Sequence, residues 1–117
     1  MARARLSEQA RADILAITAT ITAELDDPDD ATPERFKSAV RRLLDQLKVF
    51  PLSGPPYPTN NPHLTGLRKV NLGRRFRNYL MFYLVADDEV LVLRVLHGAR
   101  DIPDVLADSS DGENDGH

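Results

Sequence analysis

The chain has 117 residues, 42% of them apolar, with 15 Lys and Arg against 18 Asp and Glu and a formal net charge of −3. That length builds one domain with a packed core, and the apolar share excludes disorder for most of the sequence. The lack of Cys excludes disulfides and thiolate metal sites, and no apolar run reaches the ~18 residues of a membrane span.

The N-terminal MARARLSEQARAD is basic but has no apolar core or small-residue cleavage site behind it, so no secretory signal is expected and the cytoplasm is the default compartment. Arg3 to Leu6 reads as a short first strand, and Ser7 as a helix N-cap. Ala10, Ile14, Ile17, Ile21 and Leu25 then recur at helical spacing as a single stripe. The β-branched Thr18, Thr20, Ile21 and Thr22 weaken this helix, so tertiary packing must hold it. Asp26-Asp27-Pro28-Asp29-Asp30 ends it. The run lacks the Gly and terminal Glu of a calcium loop, and no metal is expected there.

Thr32-Pro33-Glu34 restarts a helix with a cap, an early Pro and an early acid. Phe36, Val40, Leu43, Leu44 and Leu47 form its apolar face; Arg35, Lys37, Arg41 and Arg42 form its wet one. Phe50-Pro51 closes it. The two helices read as an αα-hairpin whose apolar stripes cover the strands that follow.

Pro51 to Gly66, PLSGPPYPTNNPHLTG, is an extended connection rather than a helix or central strand. Tyr57 and His63 lie in it, and pinning the loop to the body is the expected role of both. Leu67 to Leu72 alternates imperfectly, and Gly73-Arg74-Arg75 turns the chain. Two apolar runs follow, Tyr79–Val85 and Val90–Leu96, separated by Asp87-Asp88-Glu89. This is the signature of a β-hairpin. Its first strand is apolar on both faces, as in a strand covered from both sides. Ile102 to Leu106 reads as a short helical turn or an extended segment. Ala107 to His117 is acidic, nearly without apolar residues, and expected to be disordered.

Charge is segregated along the chain. Leu64 to Arg100 holds seven basic residues (Arg68, Lys69, Arg74, Arg75, Arg77, Arg94, Arg100) against three acidic ones, so this segment is +4 and the remainder −7. Such asymmetry fits either a surface for an acidic partner or polyanion, or a solvated sheet face.

The order of short strand, helical hairpin and three-stranded antiparallel meander resembles the α+β fold of the RelE/ParE superfamily, the toxins of bacterial type II toxin–antitoxin modules. The matching residues are Leu6-Ser7, Ala12-Asp13-Ile14-Leu15, Gly66-Leu67-Arg68, Asn78 to Tyr83, and above all Leu93 to Asp101. The last run is closest to the ParE branch. The resemblance implies a single toxin domain over residues 1–106, with 107–117 as a tail. RelE-like members cleave mRNA with cationic and proton-transferring side chains. Here Leu80 stands where that branch has its third-strand arginine, and Leu106 falls on or near its C-terminal Tyr. The nuclease set would reduce to Lys69, His97 and Arg100, so no catalytic residue is expected.

The incomplete nuclease set favours the ParE-like reading, with the RelE-like nuclease as the alternative. The ParE-like reading implies a plasmid-stabilising toxin that binds DNA gyrase and is neutralised by a ParD-like or other antitoxin, without a cofactor. Contact with DNA would be indirect. Arg68, Arg74, Arg75, Arg77, Arg94, His97, Arg100 and Asp101 would form the target- and partner-binding surface. Two of these have an internal alternative: Arg94 as an ion pair with Asp101, and His97 as a packed, hydrogen-bonded histidine. An inert, partner-binding protein of the same fold is a third reading. The helical hairpin and the flank of the sheet would receive an amphipathic antitoxin helix or an added strand.

Overall fold

The structure is a computed structural model that describes residues 2–98. The expected turn at Ile102–Leu106, the acidic tail, the domain boundary at residue 106, Arg100 and Asp101 all lie outside the described residues. The elements run β1 (Arg3–Leu6), α1 (Glu8–Ala23), α2 (Thr32–Val49), β2 (Arg68–Asn71), β3 (Tyr79–Ala86) and β4 (Glu89–His97). They form a four-stranded mixed sheet in the order β1-β4-β3-β2. The last three strands are the antiparallel meander, and β1 pairs with β4 in parallel, Arg3 facing Glu89 and Leu6 facing Val92.

Local chemistry sets the helix ends. Ser7 caps α1 by accepting from the Ala10 amide at 3.0 Å. The N-cap of α2 is not Thr32, as the sequence predicts, but Ala31, which has no side-chain cap bond; Asp30, just before it, ties down the first helical residue instead. Its carboxylate accepts from both the Thr32 amide (2.8 Å) and the Thr32 hydroxyl (2.6 Å). These bonds hold the half-buried Asp30 carboxyl below its ordinary pKa, first through the hydroxyl and then through the amide, with Arg35 and Arg75 adding attraction. The hairpin turn is tighter than the tripeptide suggests. Ala86 pairs with Glu89, leaving Asp87 and Asp88 in the turn, and Asp87 takes φ 54°, a left-handed conformation that Asp tolerates better than most side chains.

Both helices cover one face of the sheet. Phe36, Val40, Leu43 and Leu47 of α2 bury against Met81, Tyr83, Val90, Val92 and Val95, with Ile14, Ile17 and Ile21 of α1 half-buried beside them. The stripe of α1 is therefore spent largely inside the domain. The far face of β3 and β4 carries its own cluster, in which Leu64, Leu67 and Phe82 are buried with Tyr57, Leu80, Leu84, Leu93 and Leu96 around them. This explains the two-sided apolar composition of β3.

The Pro-rich connection has a structural role that its composition hides. The Tyr57 amide donates to Leu67 O (2.8 Å) and the Lys69 amide to Pro55 O (3.2 Å), so residues 55–57 lie along the outer edge of β2. A covered edge cannot template pairing with another chain. Two further bonds seal the segment. Tyr83, fully buried, accepts from the Gly54 amide through its hydroxyl (2.9 Å), and Arg68 donates to Gly54 O (2.7 Å) and Leu52 O (3.2 Å). A Cβ on Gly54 would meet Lys69 O and the Tyr83 hydroxyl at 2.7 Å, so this close approach requires glycine.

Tyr83→Phe leaves the buried Gly54 amide without its acceptor. We expect a loss of about 1–3 kcal/mol in chemical denaturation, together with faster proteolytic cleavage in residues 50–60. Unchanged stability and unchanged cleavage would show that the hydroxyl does not hold this loop.

Candidate binding surface

The candidate residues belong to three different environments. Those on β4 are drawn inward by a break in the strand. Phe82 faces Arg94 while Tyr83 faces Val92, so Leu93 is extra, a β-bulge. The bulge resets the alternation: Val92 and Val95 both face the helices, and Leu93 and Leu96 both face the far cluster. Backbone groups that a bulge takes out of the ladder need other partners, and the first turns of α1 supply them. The Ser7 hydroxyl donates to Leu93 O (2.9 Å), and the Val95 amide donates to Asp13 Oδ2 (2.9 Å).

Asp13 also takes a two-pronged contact from Arg94, Nε to Oδ2 and Nη2 to Oδ1, both 2.8 Å. The two side chains, Arg94 and Asp13, are only 16% and 13% exposed. An internal ion pair is thus present at Arg94, but with Asp13 on α1; the expected partner, Asp101, lies outside the described residues. Arg94 is committed to the fold at this geometry.

His97 faces Tyr79 across the β3–β4 pair, their rings edge-to-face at 5.2 Å. Tyr79 packs on Phe36 (5.3 Å), which packs on Phe76 (5.3 Å). His97 thus ends a row of rings on the helix-covered face. Lys69 stands opposite Phe82, whose ring packs with Tyr57 at 5.1 Å, and the Lys69 ammonium lies 5.6 Å from the Tyr57 ring centre. Residues directly opposite in neighbouring strands share a face. The sheet therefore separates Lys69, on the far face, from His97, on the helix face. Arg68 is bonded to the Pro-rich segment as described. His63 is exposed within a short 3-10 turn, Pro62–Leu64, that Asn61 caps by accepting from the His63 amide.

Arg74, Arg75 and Arg77 form the third environment. They project from the β2–β3 connection, which includes a 3-10 turn at Arg74–Phe76. Gly73 at φ 95° sends the chain into this turn. Its amide donates to Asn71 Oδ1, the Phe76 amide to Gly73 O, and the Leu72 amide to Tyr79 O. Leu72 and Phe76 are buried in the main core, so the intervening arginines are forced outward on a rigid turn. Arg35 and Arg42 of α2 flank them across a cleft of about 490 Å³. By sequence these two are assigned merely to the wet face of α2. Their seven-residue spacing, two helical turns, is the available sign that they share one stripe.

Asp13→Ala removes the acceptor of both Arg94 and the Val95 amide. It should cost about 3 kcal/mol in chemical denaturation, with Asp13→Asn costing less because the amide acceptor survives. Equal and negligible effects would exclude this contact as a support of the fold.

The model of the ParE toxin of type II toxin–antitoxin systems matches residues 4–102. Among solved structures, a chain of the chromosomal ParDE system from P. aeruginosa is 24% identical, with TM-score 0.53, covering 83% of this chain and 96% of that one. A copper-bound mutant toxin from Helicobacter pylori is 15% identical, with TM-score 0.52, covering 85% and 97%. These two likenesses concern the fold. Comparison with curated proteins gives no match. With a family model spanning nearly all the described residues and the same arrangement of helical hairpin and sheet, the chain belongs to the ParE toxin family of type II toxin–antitoxin systems.

Proposed function

We propose that this toxin acts by binding DNA gyrase rather than by cutting RNA, and that a cognate antitoxin encoded beside it neutralises it. The observation that carries this reading is the division of the residual nuclease set. Lys69 and His97 stand on opposite faces of the sheet, and Leu80, where the RelE branch has an arginine, packs into the far apolar cluster. Proton transfer to one scissile phosphate needs groups that converge within hydrogen-bond reach of it. An aliphatic side chain in an apolar cluster contributes neither charge nor proton.

On this reading the outward arginines Arg74, Arg75 and Arg77, with Arg100 and Asp101 beyond β4, form the target surface. Arg68, Arg94 and His97 support the framework behind it. The antitoxin side is supported by apolar groups left exposed after the core is filled. Leu15 on α1 is 68% exposed, and Val49, Phe50 and Leu52 (51%, 67% and 62%) are consecutive or nearly so at the end of α2. An amphipathic antitoxin helix with Leu or Ile anchors would cover them. Cytoplasmic action follows from the same proposal, since gyrase and its DNA reside there.

Induction of the protein in a bacterial host, with DNA-damage signalling and transcript integrity followed together, separates the readings. Gyrase poisoning gives SOS induction with intact mRNA. Cleavage of transcripts at ribosomal A-site codons, lost in His97→Ala or Arg100→Ala, would overturn the proposal in favour of an mRNA interferase. Absence of either phenotype would leave an inert, partner-binding member of the family.

A further inference from the structure

The cleft between α2 and the β2–β3 connection carries an inference that goes beyond the gyrase reading. Its lining places Arg35 and Arg42 on one wall and Arg74 and Arg75 on the other, over a floor of Ala39, Leu72 and Phe76. None of the four arginines forms an ion pair with another described residue. Asp30, the carboxylate whose field reaches Arg35 and Arg75, is spent on the Thr32 amide and hydroxyl at the start of α2. A chain of net charge −3 thus holds four guanidinium groups around one concavity of about 490 Å³. Such a concentration of like charge is unfavourable unless an anion neutralises it.

We propose that this cleft binds consecutive phosphates of a nucleic-acid backbone. Guanidinium groups match phosphate oxygens with paired donors, and arginine is the residue of choice for that geometry. Arg35 and Arg42 are two helical turns apart, about 10.5 Å along α2. A duplex strand advances about 3.4 Å along the helix axis per phosphate, so both residues can lie along one short stretch of backbone. The walls are stiff, one a helix and the other a turn anchored by the buried Leu72 and Phe76, so little ordering is required on binding.

An acidic peptide is the competing occupant, and the cleft serves it less well. The amides of Leu72, Gly73 and Phe76 are bonded within the connection or to Tyr79, so no strand edge is offered to a peptide main chain. Only charge remains as the basis of recognition, which suits a phosphodiester. The base edges are not read by this site, so binding is expected to be independent of sequence.

The test uses the full chain and fluorescence anisotropy, with labelled duplex DNA and single-stranded RNA of equal length as probes and polyglutamate as competitor. Neither gyrase nor antitoxin enters the measurement, so its outcome is independent of the reading above. Salt-dependent binding to at least one nucleic acid is expected, weakened at least about tenfold in Arg35→Gln/Arg42→Gln. The slope of log affinity against log salt should fall by about 0.9 for each phosphate that the variant no longer neutralises. Lys37→Gln/Arg41→Gln, which removes the same charge from α2 outside the cleft, is expected to have a much smaller effect. Preference between the two probes identifies the source of the phosphates. Equal weakening in both double variants would reduce the attraction to net charge and overturn the proposal. So would the absence of binding, or displacement by polyglutamate at matched charge. Thermal melts of each variant distinguish weaker binding from impaired folding.

Discussion

The contact of Asp13 with Arg94 and the Val95 amide is the joint on which the rest of the molecule depends. The bulge at Leu93 removes backbone groups of β4 from the ladder and leaves a strand that α1 must complete. Ser7 and Asp13, in the cap and second turn of α1, take up Leu93 O and the Val95 amide, while the Ser7 amide donates to Val92 O. Without this joint α1 would rest on the small buried Ala10, three half-buried isoleucines and a weak intrinsic helix propensity. With it, α1 is fixed to the strand that also pairs with β1 and β3. The packing of α1 and the pairing of β4 with its two neighbours thus meet at one place.

The same economy decides which cations are available. Arg94 is held by Asp13, Arg68 by carbonyls of the Pro-rich segment, and Arg5 by Glu89, whose carboxyl the guanidinium holds below its ordinary pKa. That last pair is a solvent-exposed bridge between β1 and β4 and adds little to stability. The charge asymmetry of the sequence therefore does not become one basic sheet face. Among the described residues it resolves into internal fasteners and an outward corner, built from the β2–β3 connection and the facing side of α2. The proposed gyrase binding and the proposed phosphate-binding corner are compatible, since gyrase works on DNA. The two proposals nonetheless stand on separate observations.

Much of the fold is legible in the sequence because local patterns and tertiary demand agree. The stripe Ala10–Ile14–Ile17–Ile21, the Pro33 start of α2 and the acidic turn between two apolar runs each specify their element, and all are present. What escapes the sequence is long-range. The run VLVLRVL supports either alternation equally, so the bulge that puts Val92 and Val95 on one face has no signature. Asp13 looks like one more surface carboxylate of α1, and its partner is 81 residues away. The Pro-rich stretch reads as extended, which fits residues 55–57 but misses the 3-10 turn at Pro62–Leu64, and nothing in its composition says that it lies on the edge of β2. For the candidate surface, Arg74, Arg75 and Arg77 are visible as a basic turn. Arg35 and Arg42 join them only through the packing of Phe76 against Phe36.

The central claim is that this member of the ParE toxin family acts on gyrase by binding, with no reaction of its own. It is tested most directly by adding the purified protein to purified DNA gyrase and relaxed plasmid, with ATP, and measuring supercoiling and the yield of linearised DNA. The account predicts loss of supercoiling with accumulation of gyrase-cleaved DNA, at near-stoichiometric protein, and reversal by the cognate antitoxin. Undisturbed supercoiling by a protein that arrests growth and cleaves ribosome-bound message would contradict it.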